Sequence, residues 1–318
     1  NSLVHSNVTE SGLVWAGTKF LNLPGANGDF TRVQSFSNFL GRISNSGTDD
    51  IADDITISFW VKPLWVMGNG TGASVNDQHV VSDPGLGGSG NKNNNVALPV
   101  FGNTSTEKDR IRVVYQIDTG GATDKNRLMV QALDGSSNRQ GDEYPLHAST
   151  SDPSPGNHET TGVGLNLQAN PAASGSGWWN VANPGNTNGD GFVHIACTKA
   201  TGDNSDWKVY WNGTALLGRQ DADTSTINMD ENNVDEFWLG KSFANQDHFK
   251  MGYRDIAYFN AELSASEVAA LYNSGNLFDV RTHSQAANLG LYWPCQDVQE
   301  FSGAGAAANL DLQGNCSF

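Results

Sequence analysis

Phe249-Lys-Met-Gly-Tyr-Arg-Asp-Ile-Ala-Tyr-Phe259 runs without a break into Asn260-Ala-Glu-Leu-Ser-Ala-Ser-Glu-Val-Ala-Ala-Leu-Tyr-Asn-Ser-Gly275. In the first half Ile256 and Tyr258 alternate with Asp255, Ala257 and Phe259, the period of two expected of a half-buried strand. In the second half Ser264 stands three residues before Glu267, the spacing of a capping box, in which each side chain satisfies an amide left open at a helix start. Val268, Leu271 and Tyr272 then fall on one helical face, and Gly275 suits the left-handed conformation that stops a helix. A long strand feeding one short, capped helix is expected here.

Outward from this stretch, strand-like alternation recurs at residues 19–23, 55–61, 110–117, 127–133, 192–198, 207–211 and 236–239. Within 55–61, Ile55, Ile57, Phe59 and Val61 face one way and Thr56, Ser58 and Trp60 the other, which describes one wall of a two-sheet core. Asn212-Gly213, between 207–211 and 215–217, predicts a type I′ hairpin, because both central residues of that turn need positive φ.

Composition agrees with short strands joined by polar turns. Of 318 residues 36 are Gly and only 16% are charged, so helix content should be low. The formal net charge of -16, with 18 Lys and Arg in all, argues against nucleic acid as a partner, since phosphate contacts need clustered cations. No apolar run approaches the roughly 20 residues that span a bilayer, so no membrane insertion is expected. Asn1-Ser-Leu-Val-His5 has neither an initiator Met nor a hydrophobic signal core. Two segments, 68–95 and 135–191, break the strand rhythm and read as long loop insertions, which in compact domains tend to be functional or disordered. The second carries Trp178-Trp179 in a polar setting. Such a pair either anchors its loop on the sandwich or presents a surface to a neighbouring subunit or a sugar.

The opening stretch, read as Gly252-Tyr-Arg-Asp-Ile-Ala-Tyr-Phe-Asn-Ala-Glu-Leu-Ser-Ala-Ser-Glu-Val268, resembles the closing segment of laminin G-like domains of the concanavalin A-like lectin/glucanase superfamily. Ile55-Thr-Ile-Ser-Phe-Trp-Val-Lys-Pro63 is similar to another landmark of that family. So is Phe192-Val-His-Ile-Ala-Cys-Thr198 followed by Trp207-Lys-Val-Tyr-Trp-Asn-Gly213, with Phe192 in place of the usual tryptophan. The resemblance covers roughly residues 12–275. It implies an all-β fold, an antiparallel two-sheet jelly-roll sandwich with one short helix toward the C-terminal side. Residues 1–275 would form the domain and 276–318 an extension packing on it or on a neighbouring chain. That extension is similar to one that follows laminin G-like domains in virion proteins of marine bacteriophages; read plainly, it is a last edge strand with a polar tail.

The superfamily also contains retaining glucan hydrolases, whose Glu-x-Asp-x-x-Glu strand lines up carboxyls about 5 Å apart. That triplet does not occur in this sequence. The cluster Asp230-Glu231-Asn-Asn-Val-Asp235-Glu236 has other spacing and reads as a turn and strand edge. Seven histidines lack metal-ligand spacing, and His194, at the family's motif histidine, is expected to be structural. Calcium is the one cofactor the chain makes plausible, through oxygen donors of Asp49, Asp50, Asp53 and Asp54 or of Asn186, Asn188 and Asp190, although each loop also reads as a solvated turn. Cys197 reads as a small core residue. Cys295 and Cys316 frame a Gly/Ala-rich loop and are either a disulfide or two reduced thiols.

These readings lead to a non-catalytic surface module of an extracellular assembly, at a virion surface, in decoration or adhesion. Its partners would be other copies of itself, other shell proteins, or cell-surface glycans. A secreted calcium-dependent lectin is the first alternative and a glucan hydrolase with another site the second. Trp178, Trp179, Leu291 and Trp293 are the apolar groups expected to contact a ligand or a neighbouring subunit.

Overall fold

The short alternating segments pair into two antiparallel sheets in a computed structural model, which describes residues 20–24, 29–43, 54–63, 94–118, 125–137, 139–145, 192–200, 207–216, 220–224, 229–230, 233–241, 251–276 and 278–318. In chain order the strands begin with β1 (Leu21–Leu23), β2 (Phe30–Gln34), β3 (Ile55–Pro63), β4 (Asn94–Gly102) and β5 (Arg110–Asp118). There follow β6 (Lys125–Leu133), β7 (Arg139–Pro145), β8 (Val193–Lys199), β9 (Lys208–Trp211) and β10 (Thr214–Ala215). The last are β11 (Gln220–Thr224), β12 (Glu236–Leu239), β13 (Met251–Phe259), β14 (Leu289–Trp293) and β15 (Asp311–Gln313). Among the described residues two α-helices interrupt them, α1 (Ser37–Ile43) and α2 (Ala265–Tyr272). One sheet runs β1-β13-β3-β8-β9-β10, with β14 also on β13; the other runs β11-β7-β6-β5-β4-β12-β2-β15.

Inward residues of both sheets meet in one core that includes Ile57 and Phe59 of β3, Val33 of β2, Phe101 of β4 and Phe237 of β12. β13 differs from the half-buried strand that its alternation predicts, for all nine of its residues are buried. Tyr253, Ile256 and Tyr258 enter the main core. Ala257 and Phe259 point the other way, into a second cluster with Leu263, Val268, Leu271, Val280 and Tyr292. The helix and the chain beyond it therefore cover the outer face of this sheet, where each large apolar side chain removed from water contributes roughly 1.5–3 kcal/mol.

The capping box forms as the spacing predicts: Ser264 accepts from Glu267 N, and Glu267 Oε2 accepts from Ser264 N at 2.8 Å. The stop comes earlier than expected, at Asn273 with φ 46°, and Gly275 follows with φ 87°. Thr56 ties strand to helix, donating to Ala261 O at 2.7 Å and accepting from Leu263 N at 3.0 Å. The hairpin turn has φ 47° at Asn212 and 74° at Gly213, the positive pair a type I′ turn requires.

Residues 276–318 reach both sheets, through β14 on β13 and β15 on β2. Arg42 of α1 also holds them, donating to Gly290 O at 2.9 Å and Ser302 O at 3.2 Å. Glu300 collects three backbone amides, from Tyr292, Ser302 and Ala304. The segment 135–191, read as an insertion throughout, contains β7, which pairs with β6 and β11. Likewise β4 begins inside the segment 68–95.

Candidate functional site

Strand register builds one row across the outer face of the β12 sheet. Asp311 of β15 pairs with Arg32 of β2, Arg32 with Trp238 of β12, and Trp238 with Val100 of β4. The row continues through Arg112 of β5 to Gln131 of β6. Because side chains alternate, the neighbours Val33, Phe101 and Phe237 go into the core while this row turns away from it. Trp238 and Val100 form a separate small cluster with Phe30.

Planar polar groups are held side by side along the row. Arg32 Nε donates to Asp311 Oδ2 at 2.9 Å, and its Nη1 lies 3.5 Å from Glu236 Oε1. With the Gln34 amide turned so that its oxygen faces the guanidinium, it accepts from Nη1 and Nη2 at 3.2 and 3.0 Å. Trp238 Nε1 donates to Glu236 Oε2. Arg112 donates from Nε and Nη2 to Gln131 Oε1, at 3.1 and 2.8 Å. The end near β15 is the open one, with side-chain exposure of 48% for Asp311 and 26% for Arg32, whereas Trp238 is buried.

Gly240 closes β12 in the left-handed region, φ 83°, and an added Cβ there would lie 2.4 Å from Leu23 Cδ1. Lys241 follows it, and its Nζ sits 4.3 Å above the Phe30 ring and 4.8 Å above Trp238. The two rings are 4.9 Å apart. Burial pulls the Lys241 ammonium below its usual value, and the charge of Glu236 opposes that. Phe30, Arg32, Gln34 and Lys241 are the residues that sequence reading missed. In Phe30-Thr-Arg-Val-Gln34 the alternation is present, but buried Thr31 and Val33 form the inner face, so the phenylalanine that would mark a core strand points outward.

The expected contact residues fall elsewhere. Leu291 and Trp293 are fully buried in the main core, which corrects their assignment to a ligand or subunit surface. Trp293 stacks on Phe237 at 5.1 Å and donates from Nε1 to Ala308 O at 2.7 Å, so its ring and its polar atom are both engaged within the chain. Trp178, Trp179, Asp49, Asp50, Asp53, Asn186, Asn188 and Asp190 lie outside the described residues. Asp54 is half-buried just before β3. Among the described residues no three His, Cys, Asp or Glu side chains gather in a way that could hold a metal.

Cys295 and Cys316 are not bonded, which corrects the disulfide alternative; each thiol faces a backbone carbonyl, Trp293 O and Phe30 O respectively, at 3.5 Å. Burial pushes the Cys316 thiol up to about 12 and that of Cys295 well above its usual value. Cys197 is a fully buried core residue. His194 sits beside Trp60 and Tyr272, with Nε2 2.9 Å from Ser58 Oγ, and burial pushes it down to about 3. A neutral, enclosed imidazole of this kind packs the strand rather than exchanging protons with solvent.

Comparison with protein families and with curated proteins gives no match. Among solved structures the chain is similar to the binding domain of botulinum neurotoxin serotype D, at 13% identity over 80% of this chain and 43% of that one, with a TM-score of 0.43. It is also similar to a Bacteroides ovatus ATCC 8483 protein regarded as carbohydrate-binding, at 11% identity over 94% of this chain and 60% of that one, TM-score 0.43. A third is NanB, at 13% identity over 80% of this chain and 27% of that one, TM-score 0.42. The chain spans less than two thirds of each of them, and at these identities and scores the likeness says nothing of function.

Proposed function

We propose that this chain is a non-catalytic, lectin-like surface module of an extracellular assembly, in adhesion or decoration at a virion surface, and that it engages glycans on the outer face of the β12 sheet. The observation that carries the reading is the row Asp311–Arg32–Trp238, with Phe30 and Lys241 beside it. A saccharide presents a rim of hydroxyls and faces of C–H bonds. Guanidinium and carboxylate groups complement the first, and aromatic rings the second. The virion setting rests on the resemblance of residues 276–318 to phage virion extensions, and the partners there would be further copies of the chain or other shell proteins.

The same geometry speaks for binding without hydrolysis. A glycosidase needs one carboxyl free to protonate and a second free to attack or to activate water. Here Glu236 and Asp311 are both bound to the guanidinium of Arg32, and Glu236 also accepts from Trp238. The test is calorimetric titration of the native chain with oligosaccharides of laminarin, agarose, carrageenan and alginate, alongside an assay for new reducing ends. Binding to at least one, weakened by Arg32→Ala and without product, is expected. Turnover lost on Glu236→Gln would refute the non-catalytic reading, and no binding to any would refute the glycan reading.

A further inference from the structure

We infer that the saccharide held on this face is anionic, bearing carboxylate or sulfate groups, and that the ammonium of Lys241 receives the charge; this rests on the glycan reading above. Lys241 is 8% exposed, yet among the described residues it makes no ion pair and no hydrogen bond. Its contacts are the faces of two rings. A cation over aromatic faces is stabilised by the ring quadrupoles, but its N–H bonds remain undirected, because a π face is not a localised acceptor. The seat therefore fixes where the ammonium sits and leaves its donors available.

The neighbouring charges do not supply the missing acceptor. Glu236, the carboxylate whose charge Lys241 feels, accepts from Trp238 Nε1 and pairs with Arg32. Asp311 is bound to Arg32 at 2.9 Å. Arg32 is thus matched by two carboxylates, whereas among the described residues Lys241 has none in contact. An anion arriving at Lys241 would complete the hydrogen bonding of a desolvated ammonium. A neutral hydroxyl would offer a weaker acceptor, since charge-assisted bonds are roughly twice as strong as neutral ones.

The experiment titrates the full chain with short oligosaccharides of alginate (carboxylated), carrageenan (sulfated) and laminarin (neutral), each at low and at high salt. Lys241→Met keeps the aliphatic stem over the rings and removes the charge; Lys241→Arg restores the charge. The native chain should bind at least one acidic probe at least tenfold more tightly than laminarin, with affinity falling as salt rises. Lys241→Met should remove that preference and Lys241→Arg should retain most of it. Preference for alginate over carrageenan, or the reverse, identifies carboxylate or sulfate as the group received. Equal affinity for all three probes, or an acidic preference that survives in folded Lys241→Met, overturns this inference and leaves the glycan reading standing. Absence of binding to any probe overturns both. Should Lys241→Met fail to fold, the native chain decides: an acidic preference insensitive to salt overturns the inference.

Discussion

Tyr292 of β14 donates a 2.7 Å hydrogen bond to Oδ1 of Asp255, and the pair is enclosed where β13 changes partners along one edge. β1 covers that edge up to Tyr253 and β14 takes over from Ile256. Asp255 occupies the junction with φ 48°, within a bulge against β3 between Arg254 and Ala257. A bulge frees one residue from the ladder, and here the freed residue carries a carboxyl aimed at the incoming strand.

Burial raises the Asp255 carboxyl to about 7, opposed by the Tyr292 hydrogen bond and by Arg254 and reinforced by Asp279. A folded-state value above the unfolded one means that the stabilisation is complete below about 3.8 and is lost as pH rises through about 7. The full loss is on the order of 4 kcal/mol. The melting temperature of the native chain should fall between pH 5 and pH 8. Asp255→Asn, which can still accept from Tyr292, should flatten that slope. Equal slopes in the two proteins would remove Asp255 from the account.

Trp293→Ala should cost about 3–5 kcal/mol, the range for emptying a buried aromatic site. Guanidinium unfolding at two protein concentrations measures it. A loss independent of concentration is expected of a residue packed on Phe237 within its own chain; a concentration-dependent loss would return Trp293 to a subunit contact.

The strand-to-helix stretch was legible because each of its signals is local. A capping box needs only two residues three apart. The burial of β13 on both faces was not legible, since alternation within the strand does not show that Leu263, Val268, Leu271, Val280 and Tyr292 cover its outer face. α1 was missed although Phe36, Phe39 and Leu40 have helical spacing and are buried, because Ser37, Asn38 and Gly41 around them resemble a turn. The outward row was hidden for a different reason. Register places Asp311 opposite Arg32 and Trp238, and no pattern within any one segment encodes which strands become neighbours.

Arg42→Ala should loosen the extension without unfolding the sandwich. Its guanidinium spans Gly290 O and Ser302 O, and a hydrogen bond from a charged donor contributes about 1.5–3 kcal/mol. Hydrogen exchange should accelerate at residues 289–304 while β3 and β8 remain protected. Uniform loss of protection would mean that extension and sandwich open as one unit.

Ser264→Ala should cost on the order of 1 kcal/mol by leaving a helix-start amide without its acceptor. Ser266→Ala should cost much less, for Ser266 is exposed and meets only the Ser264 hydroxyl. Matched chemical denaturation of the two variants checks this, and equal effects would place the helix start elsewhere.

The salt bridge from Arg32 to Asp311 joins residues 279 apart in sequence, and β14 and β15 close one edge of each sheet. The order of synthesis therefore acts on folding. While the ribosome is still making residues 289–313, β2 and the second half of β13 both present open ladder edges, and contacts of such separation are slow to form. Arrested nascent chains ending near residue 275 should accordingly be protease-sensitive and prone to edge-to-edge association, and should become resistant once β15 has emerged.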